Sequence, residues 1–366
     1  MKRRDRVLID DLSVSAYTIP TESLEADGTY EWDRTTIVIV QLTGGGKQGV
    51  GYTYADTATA KLIEDRLKPI VVGRDALSVQ GAWLAMMRSI RNLGRSGVCA
   101  MAISAVDTAL WDLKARMFDL PLVTLFGQIR DELPIYGSGG FTNYSDEQLE
   151  KQLRGWVEEG ISRVKMKIGR DAKSDRQRVA SARKTIGVDV ELFVDANGGY
   201  SRKEALAQAY AFEQFDVRWF EEPVSSDDLE GLRLIRDDLP ARMEVAAGEY
   251  GYDIDYFQRM LGAGSVDVLQ ADATRCCGFT GFLQVAALCD AQHIPFSSHC
   301  APALHVHIGC ATPSLRHAEY FHDHVRIERL IFEGVMNPVA GTLRPELERP
   351  GLGLTLKRAE AQKFAI

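Results

Sequence analysis

From Val164 to Glu319 short apolar runs recur, and each ends in a residue able to carry charge. They are VKMKIG with Lys165 and Lys167, ELFVDAN with Asp195, RWFEEP with Glu221, EVAAGE with Glu249, VDVLQAD with Asp272, IPFSSH with His299 and HAEYFH with Glu319. Successive spacings from Lys167 are 28, 26, 28, 23, 27 and 20 residues, room for one strand, one helix and two loops. The pattern predicts a βα repeat, and in a closed barrel the carboxyl ends of its strands share one mouth. ELPIYGSGG predicts the first strand and SDEQLEKQLRGWVEEG the helix after it, with Ser145 and Gln148 as a capping box and Gly160 as the stop. Further helices are expected near 174–186, 201–214, 226–238, 253–262, 279–291 and 302–311.

Ahead of the repeat, residues 6–18 (RVLIDDLSVSAYT) and 35–42 (TTIVIVQL) predict strands, with GGGKQG as the turn beyond the second. Between them IPTESLEADGTYEWDR is polar and unpatterned, either a surface loop or a mobile lid. From Thr57 to Arg95 the period becomes helical, and 98–118 is one long amphipathic pattern with Ala102, Ala105, Val106, Ala109, Leu110 and Leu113 on a broad face. Strands first and helices after predict an α+β cap over residues 1–127, closed before LPLVTLFGQ breaks the pattern. Residues 128–337 would form the barrel. The tail, 338–366, holds a strand-like GLGLTLKR and is expected to pack back on the cap.

Size and charge narrow the partners. At 366 residues the chain can bury a barrel core and still fill a second domain. A formal charge of −8 argues against nucleic acid or an anionic membrane as partner. The head, MKRRDRVLIDDL, is basic, but Asp10 and Asp11 break its apolar run, so it does not read as a signal peptide. No run approaches the ~18 apolar residues of a membrane span, and a cytoplasmic location is the default. Six cysteines without CxxC pairs read as free thiols.

Asp195, Glu221 and Glu249 end three consecutive strands, so a barrel would crowd three carboxylates together. A divalent cation is the simplest way to keep them ionised, and an all-oxygen set suits Mg²⁺; otherwise they are acidic caps on the following helices. Lys165 and Lys167, two apart, share one face of a strand. Inside the mouth each would lower the other's hold on a proton, bringing a neutral amine within reach; on an edge strand they would be solubilising charge. His299 ends a strand one step after Asp272, and a carboxylate on one imidazole nitrogen fixes the tautomer of the other. A purely structural histidine remains the alternative there, and it is the reading for His305 and His307. Glu319 is either a buried acid that must stay protonated to donate to an oxyanion or a surface glutamate. Glu222 should face away from the mouth and make a structural hydrogen bond. Asn197, Tyr250 and Arg275, beside strand ends, are candidate substrate contacts.

Taken in order, SAVDTALWDLKA, KMK, DAN, EEP, GE, QAD and SSH resemble the enolase superfamily, and more closely its mandelate racemase subgroup, over almost the whole chain. The resemblance implies an α/β fold, a modified (β/α)7β TIM barrel under an α+β capping domain that the C-terminal tail completes. It implies Mg²⁺ on Asp195, Glu221 and Glu249, with Lys167 as a base on one substrate face and Lys165 tuning it. The Asp272–His299 pair would act from the opposite face, and Glu319 would hydrogen-bond the substrate carboxylate. Residues 20–33 would be a specificity lid, joined by the loop near Gly51 to Thr57. The partner would be a small-molecule carboxylate, and the subunits would form a homo-oligomer.

Such a site removes the proton α to a carboxylate, and the enediolate has several exits. Dehydration of a sugar acid to a 2-keto-3-deoxy acid is the expectation, because the lid candidate is polar (Glu22, Glu25, Asp27, Tyr30, Glu31, Asp33). Cycloisomerisation of a sugar lactone or anhydro sugar acid needs the same enolate and a ring oxygen as leaving group. Racemisation or epimerisation of a 2-hydroxy acid is a further exit, although TRCCG and HCAPALH depart from the usual racemase letters. A catalytically silent binding or scaffold protein is the alternative outside enzymes.

Overall fold

The computed structural model describes residues 6–366; the basic head, residues 1–5, lies outside the described residues. Strands β1 (Ile9–Ala26), β2 (Glu31–Gly44) and β3 (Lys47–Tyr54) form an antiparallel sheet in that order. TTIVIVQL is apolar at consecutive positions because both faces of this sheet are covered. Ile37 and Ile39 join the core that runs into the barrel, whereas Val38, Val40 and Leu42 join the core under the helices. Those helices are α1 (Thr57–Leu62), α2 (Lys68–Val71), α3 (Val79–Ser89) and α4 (Val98–Met117). On β3, Gly51 lets α4 lie directly on the sheet, since a Cβ there would stand 2.3 Å from the Ala105 carbonyl oxygen.

Three expectations about this region change. The helical period from Thr57 to Arg95 is interrupted, because the chain turns at Gly73 (φ +80°) before re-entering helix at Val79. Within GGGKQG only Gly45 and Gly46 turn, and Lys47 already begins a third strand. Residues 20–33 are no loop: β1 and β2 run on as a two-stranded ribbon, irregular only between Pro20 and Glu25. Its sequence shows no alternation because the flanking residues are mostly exposed and two of the three buried positions, Glu25 and Asp27, are acidic. The apex is an Asp turn in which Asp27 Oδ1 accepts from the backbone of Thr29 and Tyr30, both at 2.7 Å.

After α5 (Leu122–Phe126) come eight parallel strands. These are β4 (Leu133–Gly139), β5 (Arg163–Lys167), β6 (Glu191–Asp195), β7 (Val217–Glu221), β8 (Glu244–Ala247), β9 (Val268–Ala271), β10 (Phe296–Ser298) and β11 (Leu315–Phe321), and pairing of β11 with β4 closes the barrel. Helices α6 (Asp146–Glu158), α7 (Ala172–Ile186), α8 (Arg202–Glu213), α9 (Leu229–Asp238), α10 (Ile254–Gly262), α11 (Gly278–Gln292) and α12 (Pro302–Gly309) follow the first seven strands. Ser145 and Gln148 form the expected capping box at the start of α6. Tyr136, Phe193, Trp219, Ala246 and Val268 plug the barrel interior, the Phe193 and Trp219 rings stacked at 5.1 Å.

The helix after the eighth strand, α13 (His322–Ile331), serves the cap instead of the barrel wall. Glu328 on it accepts a 2.6 Å hydrogen bond from the Tyr52 hydroxyl on β3. The tail beyond it bonds to both units. Thr342 and Leu343 pair antiparallel with the start of β4, while Leu352 N donates to Asp112 Oδ1 on α4 at 2.6 Å and Arg116 Nη2 to the Leu354 carbonyl at 2.8 Å. All six cysteines are buried and unpaired. Among the described residues, no helix is long and apolar enough to cross a membrane.

Candidate active site

Alternation along β5 turns Val164 and Met166 out to the helices and Lys165 and Lys167 into the mouth. Across the mouth β6, β7 and β8 end at Asp195, Glu221 and, past the left-handed turn at Gly248 (φ +136°), Glu249. All three carboxylates are buried, and each offers an oxygen within 4.8 Å of the others. Lys165 Nζ donates to Glu221 Oε1 at 2.6 Å and lies 2.7 Å from Glu319 Oε1 and 3.4 Å from Asp195 Oδ2. Lys167 Nζ donates to Asp195 Oδ2 at 2.5 Å. Trp219 Nε1 holds the other Glu221 oxygen at 2.8 Å.

The opposite wall comes from β9, β10 and β11. His299 Nδ1 donates to Asp272 Oδ2 at 2.8 Å, and Thr274 N holds Oδ1 at 2.7 Å. His299 Nε2 faces the mouth, 3.2 Å from Glu249 Oε2 and from Cys300 Sγ. His305 ties the two loops together: its Nε2 accepts from Ala273 N at 3.0 Å, and its Nδ1 donates to the Cys300 carbonyl at 2.8 Å. Its structural assignment therefore stands, with a specific task. His307 is fully buried on α12, away from the mouth.

The charges in this cluster correct three sequence expectations. Burial works against protonation of Lys167, as does Lys165, but Asp195 and the neighbouring carboxylates outweigh both and raise its pKa, so it is protonated here. Burial likewise raises Glu319, yet Lys165 and His299 hold it below the usual carboxylate range. Ser138 Oγ donates to its Oε1 at 2.6 Å and Cys300 N to its Oε2 at 2.8 Å, so it is an ionised acceptor and not the protonated donor expected. Glu222 does not line the cavity, but the structural hydrogen bond expected of it is missing at Oε1. Its φ is +37°, Oε1 has no hydrogen-bond partner among the described residues, and burial with Glu249 and Asp195 nearby pushes its carboxyl up.

A cavity of about 390 Å³ opens above these groups. Lys167, Asn197, Glu249, Tyr250, Arg275, His299 and Glu319 reach it, the three candidate substrate contacts among them. Arg275 Nη1 donates to the Glu249 carbonyl at 3.0 Å, with its guanidinium 5.4 Å from the Tyr250 ring centroid. From the ribbon come Asp27, Tyr30, Trp32 and Arg34, and from beyond β3 Ala55 and Asp56. Residues 51–54, expected in a loop, belong to β3 itself.

Most acidic groups of the ribbon are engaged elsewhere. Glu22 pairs with His322 at 3.0 Å, Glu31 with Arg170 at 2.8 Å and Asp33 with Arg34 at 2.8 Å, and Glu25 Oε2 accepts from Trp32 Nε1 at 2.9 Å. The face turned to the cavity is thus more aromatic than the sequence suggested. The apex rests on the carboxylate-bearing wall, where Thr29 Oγ1 donates to the Asn197 carbonyl and a Cβ on Gly28 would meet the Ala196 carbonyl oxygen at 2.2 Å. Sequence reasoning missed Ser138, Trp32, Cys300 and His324, none of which ends an apolar run in a charged letter; the neighbouring motifs were the only signal.

The family model for the enolase C-terminal domain-like fold matches residues 148–361, and that for the mandelate racemase / muconate lactonizing enzyme N-terminal domain matches 26–127. The chain belongs to the enolase superfamily, in its mandelate racemase and muconate lactonizing enzyme subgroup. Within this superfamily it is 33% identical to a 3,6-anhydro-alpha-L-galactonate cycloisomerase of Streptomyces coelicolor, over 98% of this chain and 100% of that protein. It is 31% identical to the L-talarate/galactarate dehydratase of Salmonella typhimurium over 78% of this chain and 73% of that one. The crystal structure of that dehydratase with Mg and L-lyxarohydroxamate superposes with a TM-score of 0.90 at 26% identity, covering 100% and 96% of the two chains. A mandelate racemase/muconate lactonizing enzyme-like protein of Rubrobacter xylanophilus superposes with a TM-score of 0.96 at 52% identity, covering 98% and 100%.

The enolase-superfamily site fits a hard divalent cation on its own chemistry. Its convergent donors are all carboxylate oxygens, and burial together with Asp195 pushes Glu221 up to about 8, a strain a shared cation relieves. His299, Cys300 and Glu319 also converge, but both Glu319 oxygens are already taken by Ser138, Lys165 and the Cys300 amide.

Proposed function

We propose that the protein removes the proton α to the carboxylate of a sugar acid and expels the β-hydroxyl as water, giving a 2-keto-3-deoxy acid. The observation that carries this is the placement of Lys167 and the Asp272–His299 pair on facing walls above three carboxylates. Lys167 is on the second strand of the eight and His299 on the seventh, so a substrate between them meets one on each face.

Asp195, Glu221 and Glu249 would hold Mg²⁺. When bound, the ion supplies positive charge for the substrate's carboxylate oxygens and takes up the carboxylate charge that keeps Lys167 protonated. Lys167, as the free amine, then accepts the α-proton, and Lys165, fixed between Glu221 and Glu319, offers a second positive charge to the enediolate. Burial disfavours the imidazolium of His299, but its Nδ1 hydrogen bond to the Asp272 carboxylate, which lies outside the three-carboxylate set, favours it. It therefore carries the proton that the departing β-oxygen needs, and the enol left behind becomes the 2-keto acid by protonation at carbon. Glu319, ionised and accepting from Ser138 Oγ and the Cys300 amide, holds Lys165 in place, while Asn197, Tyr250 and Arg275 line the way in. Residues 1–127 and 338–366 are taken as the covering unit and 128–337 as the unit that carries the chemistry.

A second reading, ring opening of an anhydro sugar acid, is favoured by the aromatic face of the ribbon, since Tyr30 and Trp32 suit the C–H face of a ring. Mass spectrometry and NMR after incubation of gluconate, galactarate, rhamnonate and 3,6-anhydrogalactonate with enzyme and Mg²⁺ separate the two. Dehydration yields a product lighter by one water, and ring opening yields one of unchanged mass. Recovery of every acid with its α-hydrogen unexchanged in deuterium oxide would refute both.

A further inference from the structure

His324, on α13 five residues past Glu319, belongs to none of the roles above. Its side chain lines the cavity while being only 7% exposed overall. One ring face is covered by Tyr54, centroids 3.4 Å apart and planes 14° from parallel, and the Phe321 ring packs at 5.2 Å, nearly perpendicular. Nδ1 accepts from Ala301 N at 3.4 Å. That amide lies in a turn where Cys300 and Ala301 both have positive φ, +50° and +41°, immediately after His299. Among the described residues Nε2 has no hydrogen-bond partner, and it is not among the sealed-off polar atoms.

We propose that His324 is a substrate-binding residue whose Nε2–H donates a hydrogen bond to a hydroxyl or ring oxygen of the sugar acid on the side away from the metal ligands. With Nδ1 occupied as an acceptor, a neutral ring must carry its hydrogen on Nε2. Burial, with His299 and Arg275 nearby, brings its pKa down to about 3 despite Asp272, so the ring is neutral at any working pH. The location follows from topology. His324 reaches the cavity beside Cys300 and Phe321, at the ends of β10 and β11, whereas the carboxylates sit on β6 to β8 across the mouth. A substrate held by its carboxylate over Asp195, Glu221 and Glu249 would therefore present its outer carbons to His324. The surrounding wall is apolar, with Trp32, Phe141, Cys300 and Phe321 packed together. A buried donor discriminates strongly, because an analogue lacking the matching oxygen leaves it unpaired.

This rests on the sugar-acid reading, and the experiment keeps the two apart. Wild type and H324F are assayed with Mg²⁺ on gluconate, galactarate, rhamnonate and 3,6-anhydrogalactonate, and then on the monodeoxy analogues of whichever acid is turned over. Phenylalanine keeps the stack on Tyr54 and removes both ring nitrogens. On the full acid H324F should lose about 10- to 100-fold in kcat/KM. On the one analogue lacking the contacted oxygen, variant and wild type should agree within about twofold. H324Q, whose amide can serve Ala301 N or donate to substrate, guards against misfolding and should recover part of the loss. An equal loss of H324F on every analogue would mean that His324 acts only through the Ala301 amide, and would overturn the proposal while leaving the reaction intact. Nitrogen-15 NMR of the wild-type ring gives a substrate-free check. A Nδ1–H tautomer, or titration near neutral pH, would also overturn it. A wild type inactive on the whole panel, with the Nε2–H tautomer in place, would instead bring down the sugar-acid reading and the proposed contact with it.

Discussion

In the proposed reaction Lys167 and His299 would do different work on one carbon skeleton, so their loss should look different. K167A and H299N should each lower turnover about 10²- to 10⁴-fold. Exchange of the α-hydrogen with deuterium oxide, followed by NMR, should persist in H299N, where the lysine is intact, and full turnover in both variants would refute the assignment. E221Q removes one charge from the cation site, and calorimetry should show Mg²⁺ binding weakened about tenfold or more. Glu25 offers a test away from the chemistry. Burial and Asp323 raise its carboxyl to about 8 from 4.5. Between those values it is protonated when folded and ionised when unfolded, so its contribution to stability is lost as pH rises. E25Q keeps an acceptor for Trp32 and should gain on the order of a few kcal/mol over wild type between pH 5 and pH 9, read from chemical denaturation. The position of each charged side chain was legible, because strand period and strand end fix it. Its protonation state was not: whether Glu319 is an acid or an acceptor depends on Lys165 and Ser138, which only the closed barrel brings to it.

Among the elements, the barrel strands announced themselves and the ribbon did not. A strand buried by helices on one side and by the plug on the other must be apolar until it reaches the mouth, and that is a pattern in letters. The ribbon is held by individual bonds. Arg326 Nη2 donates to the Pro20 carbonyl at 2.7 Å, Thr35 Oγ1 to Asp323 Oδ2 at 2.5 Å and Asn143 Nδ2 to the Leu24 carbonyl at 2.6 Å, with partners more than a hundred residues apart. No short-range signal encodes such contacts, so its polar letters read as a loop. Trp32, half-buried with its ring edge-on to Phe141 at 5.5 Å, is the largest side chain the ribbon gives the cavity. W32A should raise KM several-fold with a smaller change in kcat, since it removes contact surface and no reacting group. Steady-state kinetics on the acid found by the panel would check this, and an unchanged KM would count against a ribbon that touches substrate.

Across the whole molecule, buried polar bonds tie the cap to the rest of the chain. Asp112 on α4 accepts from Val50 N of β3, from Arg116 and from Leu352 N of the tail, so one carboxylate links sheet, helix and chain end. Tyr52 and Glu328 make the matching link between β3 and α13. Y52F should cost about 1–3 kcal/mol, seen as a lower denaturation midpoint, because it leaves a buried Glu328 oxygen without its donor. The α+β cap and the returning tail could be anticipated from the order of elements. The use of α13 as a bracket for the cap could not, because the bond that shows it, from Tyr52 to Glu328, joins residues 276 apart in the chain. At the junction of ribbon and barrel the bare backbone of Gly28 lies directly against the Ala196 carbonyl. With no room at that position for even a methyl group, adaptation to a new ligand is pushed onto the flanks of the hairpin. A selection for altered specificity that randomises residues 27–34 should therefore recover survivors varied on either side, all sharing glycine at the crest.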